Sequence, residues 1–186
     1  MRGRLLRTAF AGVFVATCVT PACGAQSEDR SAAETTPVVP MPADWPCWRG
    51  PTHDGHAPPG QRVPLSWSAT ENVLWTADVP GRGNGSPAVA GDRIFLATCD
   101  EKPGSQSLLA FDRSSGRRLW QTIIHESGAM RKHERSTGAS VTPACDGERL
   151  FVAFANDDAV IATALSRDGT RLWQKKVCDY RIHQGY

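Results

Sequence analysis

Leu108-Leu109-Ala110-Phe111-Asp112-Arg113-Ser114-Ser115-Gly116-Arg117-Arg118-Leu119-Trp120 decides the fold, because the chain repeats it as Ile161-Ala162-Thr163-Ala164-Leu165-Ser166-Arg167-Asp168-Gly169-Thr170-Arg171-Leu172-Trp173. Each copy is an apolar run, a polar turn ending in Gly, then Arg-Leu-Trp. Trp120 and Trp173 lie 53 residues apart, and a repeat of that period dictates architecture before any single motif does. Each copy reads as a β-hairpin. Residues 107–111 form one strand and 118–124 the next, rich in Leu, Trp and Ile. Asp112 can bond its own backbone, and Gly116 accepts the positive φ that closes the loop. The second turn is one residue shorter, with Ser166 in place of Asp112.

A matching half precedes each hairpin. Residues 85–97 (Gly-Ser-Pro-Ala-Val-Ala-Gly-Asp-Arg-Ile-Phe-Leu-Ala) align with 141–153, and both Pro87 to Pro143 and Gly91 to Gly147 span 56 residues. Gly-Asp-Arg and Gly-Glu-Arg are turns, residues 94–97 and 150–154 strands, and each proline opens a first strand, where its missing N–H does least harm. A unit therefore holds about four short strands, the size of one propeller blade. Gly and Pro punctuate the chain too often for a helical repeat. A β-sandwich fits the strand spacing but has no reason to recur at this period. The predicted fold is all-β, a propeller of four-stranded blades with about two blades present.

The pattern Ser-Pro-x-Val-x-Gly-Asp-Arg-Ile-Phe followed by Leu-x-Ala-x-Asp-x-x-x-Gly-x-x-x-Trp resembles the pyrroloquinoline-quinone-like β-propeller repeat of quinoprotein dehydrogenases and of BamB-like propellers. Residues 45–51 (Trp-Pro-Cys-Trp-Arg-Gly-Pro) and 72–75 (Asn-Val-Leu-Trp) resemble the start of secreted, planctomycete-type proteins of that class. The resemblance covers residues 45–186. It implies that Trp75, Trp120 and Trp173 pack between neighbouring blades, with Gly116 and Gly169 as the matching turn glycines. It also implies that residues 72–79 serve as a ring-closing strand, a role that requires a final blade.

The rest of the chain fits an exported β protein. Of 186 residues, 40% are hydrophobic and 22% charged, the composition of an ordinary globular protein. Residues 1–25 read as a secretory signal: Arg2, Arg4 and Arg7, an apolar run over 9–19, then small residues around Ala25. The run is too short to span a membrane. Cys23 is a candidate for lipidation, although Thr20-Pro21-Ala22 is a poor lipoprotein signal. Removing the signal leaves 18 of the 21 basic residues against 19 acidic ones, a net charge of −1, which argues against nucleic acid as a partner. Residues 26–44, rich in Ser, Thr, Ala and Pro, form a disordered linker. Residues 45–82 hold an ordered loop plugging one face, strands at 65–67 and 72–79, and the run Gly81 to Gly85, which lacks the helix and Lys-Ser/Thr of a phosphate cradle. Residues 83–186 hold the two blades, the second ending near Lys176, and the approach to a third over 178–186. The polar stretch 126–138 is a solvated inter-blade loop. Two blades leave bare faces and edges, and a ring needs roughly four to eight. The expectation is therefore an N-terminal fragment, or else a small protein that completes its ring by oligomerising. Edge-driven aggregation follows from the fragment reading.

Outside the signal, Cys47, Cys99, Cys145 and Cys178 allow three pairings. Cys99 with Cys145 is a plausible one, and free buried thiols are the alternative. His53-Asp54-Gly55-His56 offers two metal-binding rings but no further ligands at recognisable spacing. Quinoprotein dehydrogenases carry adjacent cysteines and acidic calcium ligands, and neither pattern occurs here. The expected function is an exported, non-enzymatic scaffold in the periplasm or cell envelope. It would bind a protein or small ligand on the propeller face, with no cofactor and no catalytic residues. The alternatives are the N-terminal part of a quinone-dependent periplasmic dehydrogenase, whose missing blades would supply the cofactor site, and a BamB-like outer-membrane assembly factor.

Overall fold

The structure, a computed structural model, describes residues 44–130 and 133–181. Eight strands occur in chain order: β1 (Ala88–Ala90), β2 (Arg93–Asp100), β3 (Ser105–Asp112), β4 (Arg118–His125), β5 (Ala144–Cys145), β6 (Arg149–Asn156), β7 (Ala159–Ser166) and β8 (Arg171–Asp179). They form two antiparallel four-stranded sheets, β1-β2-β3-β4 and β5-β6-β7-β8, each strand beside its sequence neighbour. The two sheets are the two blades. Among the described residues no helix is long and apolar enough to cross a membrane.

The two blades repeat in detail. Register slips between Ala110 and Phe111 in blade one, and between Ala164 and Leu165 in blade two. A second slip falls between Gln106 and Ser107, and between Val160 and Ile161. Such bulges increase the twist of the outer strand. The β6–β7 hairpin closes through Asp157 and Asp158, both at positive φ. That is the geometry of a two-residue turn matched to strand twist, in a residue type that tolerates it.

Side-chain alternation decides what each sheet buries. Phe95, Ala97 and Cys99 of β2, with Leu108 and Ala110 of β3, face Leu150, Val152 and Phe154 of β6, with Leu165 of β7. These side chains form one continuous apolar cluster, the seam between the blades. Phe95, Leu108, Leu150 and Phe154 are at most 1% exposed. The opposite side of blade two is open: every residue of β8 is exposed.

Three sequence expectations are corrected. Residues 65–67 and 72–79 are irregular, because no described strand runs alongside to give them a ladder. Cys178 and Asp179, expected to lead toward a third blade, belong to β8, where they pair with Val160 and Ala159. Asp44, assigned to the linker, is 7% exposed and bonded to blade one. The signal segment, Cys23 and the linker up to residue 43 lie outside the described residues, as do residues 182–186.

Candidate functional site

The hairpin turn of blade one is organised by one carboxylate. Asp112 Oδ1 accepts from Ser114 Oγ (2.6 Å), Ser115 Oγ (2.8 Å), and the amides of Ser115 (2.9 Å) and Ser114 (3.1 Å). The Ser114 and Ser115 hydroxyls hold its pKa down to about 2, with the amides adding to them. In blade two Ser166 cannot play this part, and the acid stands two residues further on. Asp168 bonds the Ser166 hydroxyl and accepts from Thr170 N at 3.2 Å, which lowers its pKa in the same way.

These turns present glycine to a tryptophan of the preceding unit. The indole of Trp75 lies over Gly116, where an added Cβ would sit 2.6 Å from Trp75 Cδ2. Trp120 of β4 lies over Gly169, where a Cβ would sit 2.8 Å from Trp120 Cδ2. Gly116 and Gly169 have φ of 72° and 89°, so conformation and space both demand glycine. Each indole N–H then donates to the turn: Trp75 Nε1 to Arg113 O and Trp120 Nε1 to Arg167 O, both at 3.0 Å. Thr122 Oγ1 adds a bond to Gly169 O at 2.7 Å. Trp120 also rests on Phe95 of its own blade at a ring separation of 6.1 Å. Trp173 rests on Phe151 in the same way, at 6.2 Å. Trp173 faces away from blade one and is 41% exposed, with no glycine turn over it among the described residues.

The arginine inside each turn is a second fastener, and sequence reasoning missed it. Arg113 reaches Gly91 O at 3.1 Å, and Arg167 reaches Gly147 O at 3.3 Å, each closing the first hairpin of its own blade. Arg167 also crosses the seam to Ala90 O (3.1 Å) and Asp92 Oδ1 (2.7 Å). At blade one the acid of a preceding unit is supplied by Asp44. It accepts from Gly91 N at 3.0 Å and pairs with Arg113 at 3.4 Å. The recurrence of Arg at 113 and 167, beside the Asp of Gly-Asp-Arg, was the available signal.

The far end of the seam is closed by amides. Gln106, fully buried, donates to Gly138 O at 2.6 Å and Ala155 O at 3.1 Å. Asn156 Nδ2 bonds Gln106 Oε1 at 3.0 Å and Ser127 O at 2.7 Å. Part of the expected solvated loop therefore enters the seam: Ala129 pairs with Asn156. The innermost strands are crossed by the chain ahead of the blades. Trp45 pairs with Val89 of β1, and Pro46 O accepts from Cys145 N of β5 at 2.8 Å. Beyond this point Trp48 is 65% exposed, with the Arg49 guanidinium 5.4 Å from its ring.

A family model described as outer membrane protein assembly factor BamB matches residues 61–184. The chain belongs to this family. No curated protein matches it. The BamB-type match spans both docking pairs and both blades, and residues 45–60 precede it.

Of the residues singled out in the sequence, the fold brings Trp75 to Gly116 and Trp120 to Gly169. It does not bring Cys99 to Cys145. Cys145 pairs with Leu150, the counterpart of Ile94, and Cys99 stands five residues further along the equivalent strand. Five residues are about 17 Å, whereas bridged cysteines have Cα atoms within roughly 7 Å. His53 and His56 turn to different partners, Cys47 and Asp54. Among the described residues no three His, Cys, Asp or Glu gather in a metal-holding group.

Proposed function

We propose that this chain is the blade-forming part of an exported scaffold that holds a protein partner during outer-membrane protein assembly. The observation that carries the reading is the seam. The same Trp–Gly–carbonyl docking occurs twice in a chain whose blades match a family described as an assembly factor. Such a seam gives rigidity, and rigid blades display loops in fixed positions for a partner. In this reading the signal over 1–25 directs export, residues 26–43 tether the blades in the envelope, and no redox cofactor is used.

The experiment is deletion of the gene in its source bacterium, with quantitative proteomics of the outer membrane and complementation by the intact gene. Reduced β-barrel protein levels, restored by complementation, are expected. An unchanged outer-membrane proteome, or quinone-dependent dehydrogenase activity of the purified protein, would overturn the reading. Mass spectrometry of the mature N-terminus in the same strain distinguishes cleavage at Ala25 from lipid on Cys23.

A further inference from the structure

Cys47 and Cys145 lie on the two sides of one backbone hydrogen bond. The bridge from Trp45 to Val89 has both bonds at 2.8 Å, and the next carbonyl, Pro46 O, takes the Cys145 amide proton at 2.8 Å. Cys145 is thus opposite the peptide unit that joins Pro46 to Cys47. The planar peptide puts Pro46 O about 2.8 Å from Cys47 Cα, and a near-linear hydrogen bond puts it about 3.7 Å from Cys145 Cα, so the two Cα atoms lie at most about 6.5 Å apart. Bridged cysteines span roughly 4.4–6.8 Å.

Neither thiol is held by a strong bond. Cys47 Sγ donates to Gly50 O at 3.3 Å and lies 3.7 Å from His53 Nδ1. Cys145 Sγ accepts from Gly147 N at 3.3 Å. Sulfur is a weak partner in both roles, so a χ1 rotation can release either. Both residues are half-buried, so a small oxidant reaches Cys47 through the exposed loop around it. Cys178 lies on β8, at the outer edge of blade two. Cys99 is excluded by its place at the far end of the seam.

We propose that Cys47 and Cys145 form a disulfide that fastens the 45–60 segment to the innermost strand of blade two. The oxidant is a disulfide of the glutathione or oxidoreductase class. Cys47 gives its proton to His53 or water, and its thiolate attacks one oxidant sulfur. The oxidant S–S bond breaks, and one oxidant thiol leaves with a proton. Cys145 then loses its proton and its thiolate attacks Cys47 Sγ in the mixed disulfide; the bond from Cys47 Sγ to the oxidant sulfur breaks, and that sulfur takes up the proton and leaves as the second oxidant thiol. Two protein thiols are oxidised, and one disulfide is reduced to two thiols. The bond closes a loop around all of blade one, including the Trp75–Gly116 dock. One of its two sulfurs, on Cys47, lies in the segment that precedes the family match, and the other, on Cys145, lies within it.

The test is oxidation of the folded full chain with oxidised glutathione, followed by alkylation and non-reducing peptide mapping, with a parallel sample in concentrated urea. The expected result is a dominant Cys47–Cys145 cross-linked peptide in the folded sample and a mixture of pairings in urea. The oxidised chain should unfold at higher urea than the reduced one, a shift lost in Cys47→Ser and in Cys145→Ser. The Cys99→Ser/Cys178→Ser double variant should retain the cross-link. Alkylation of both thiols after exhaustive oxidation, pairing of either with another cysteine, or equal yields with and without urea would overturn the proposal.

Discussion

At the scale of single residues, both turns demand glycine under an indole, and each is held by an aspartate, Asp112 in one and Asp168 in the other. Gly169→Ala puts a methyl group into the Trp120 ring and an L side chain at φ 89°. The expected cost is about 3 kcal/mol, since strained φ alone costs roughly 1–3 kcal/mol and overpacking adds to it. Urea unfolding checks this, and a loss under about 1 kcal/mol would mean that the indole does not sit there. Asp112 makes a pH prediction. Its folded pKa, about 2, is below the ordinary 3.8, so its contribution is present above the unfolded value and is lost as pH falls through the folded one. Thermal midpoints measured from pH 5 to pH 2 should therefore fall less steeply in Asp112→Asn than in the parent. Equal slopes would remove Asp112 from the account.

Elements differ in how far the sequence revealed them. The hairpins were legible because apolar alternation and turn residues are local properties, repeated in both copies. Residues 72–79 have strand-forming composition but lack a ladder, because a strand is defined by its neighbour as much as by its own side chains. The docking tryptophans and turn glycines could be named from the resemblance and the repeat, though not which Trp meets which Gly, whereas the Arg113–Asp44 and Arg167–Asp92 fasteners could not. They join residues 69 and 75 positions apart, and no local pattern links such distances. The amide lock of Gln106 and Asn156 was hidden for the same reason. The docking account predicts unequal tryptophans. Trp120→Ala should cost about 3 kcal/mol, the lower end for a large aromatic, because the ring is partly buried against the seam cluster. Trp173→Ala, on the open side, should cost less than about 1.5 kcal/mol, since its truncation leaves little cavity. Chemical denaturation of the two variants decides this, and equal losses would contradict the seam assigned here.

On the scale of the whole molecule, the blades are asymmetric. One side of blade two is buried in the seam, while its outer strand and the residue that follows leave Leu172, Trp173, Val177 and Tyr180 all at least 41% exposed. The outer edge of β8 has no paired strand among the described residues. An open edge of that kind recruits other strands, and Lys175 and Lys176 only partly oppose this. The 186-residue chain should therefore self-associate with rising concentration, and Val177→Lys should reduce the association, as sedimentation velocity would show. A chain that stays monomeric at all concentrations would contradict this.

The central claim is that each turn glycine lies under a tryptophan of the preceding unit. Proton NMR of glycine-labelled chain measures this directly, because an indole ring shifts protons beneath it upfield. The account predicts two strongly upfield glycine Hα resonances, Gly116 lost from that position in Trp75→Ala and Gly169 in Trp120→Ala. Glycine signals at unperturbed positions in the folded chain, or shifts indifferent to both substitutions, would contradict it.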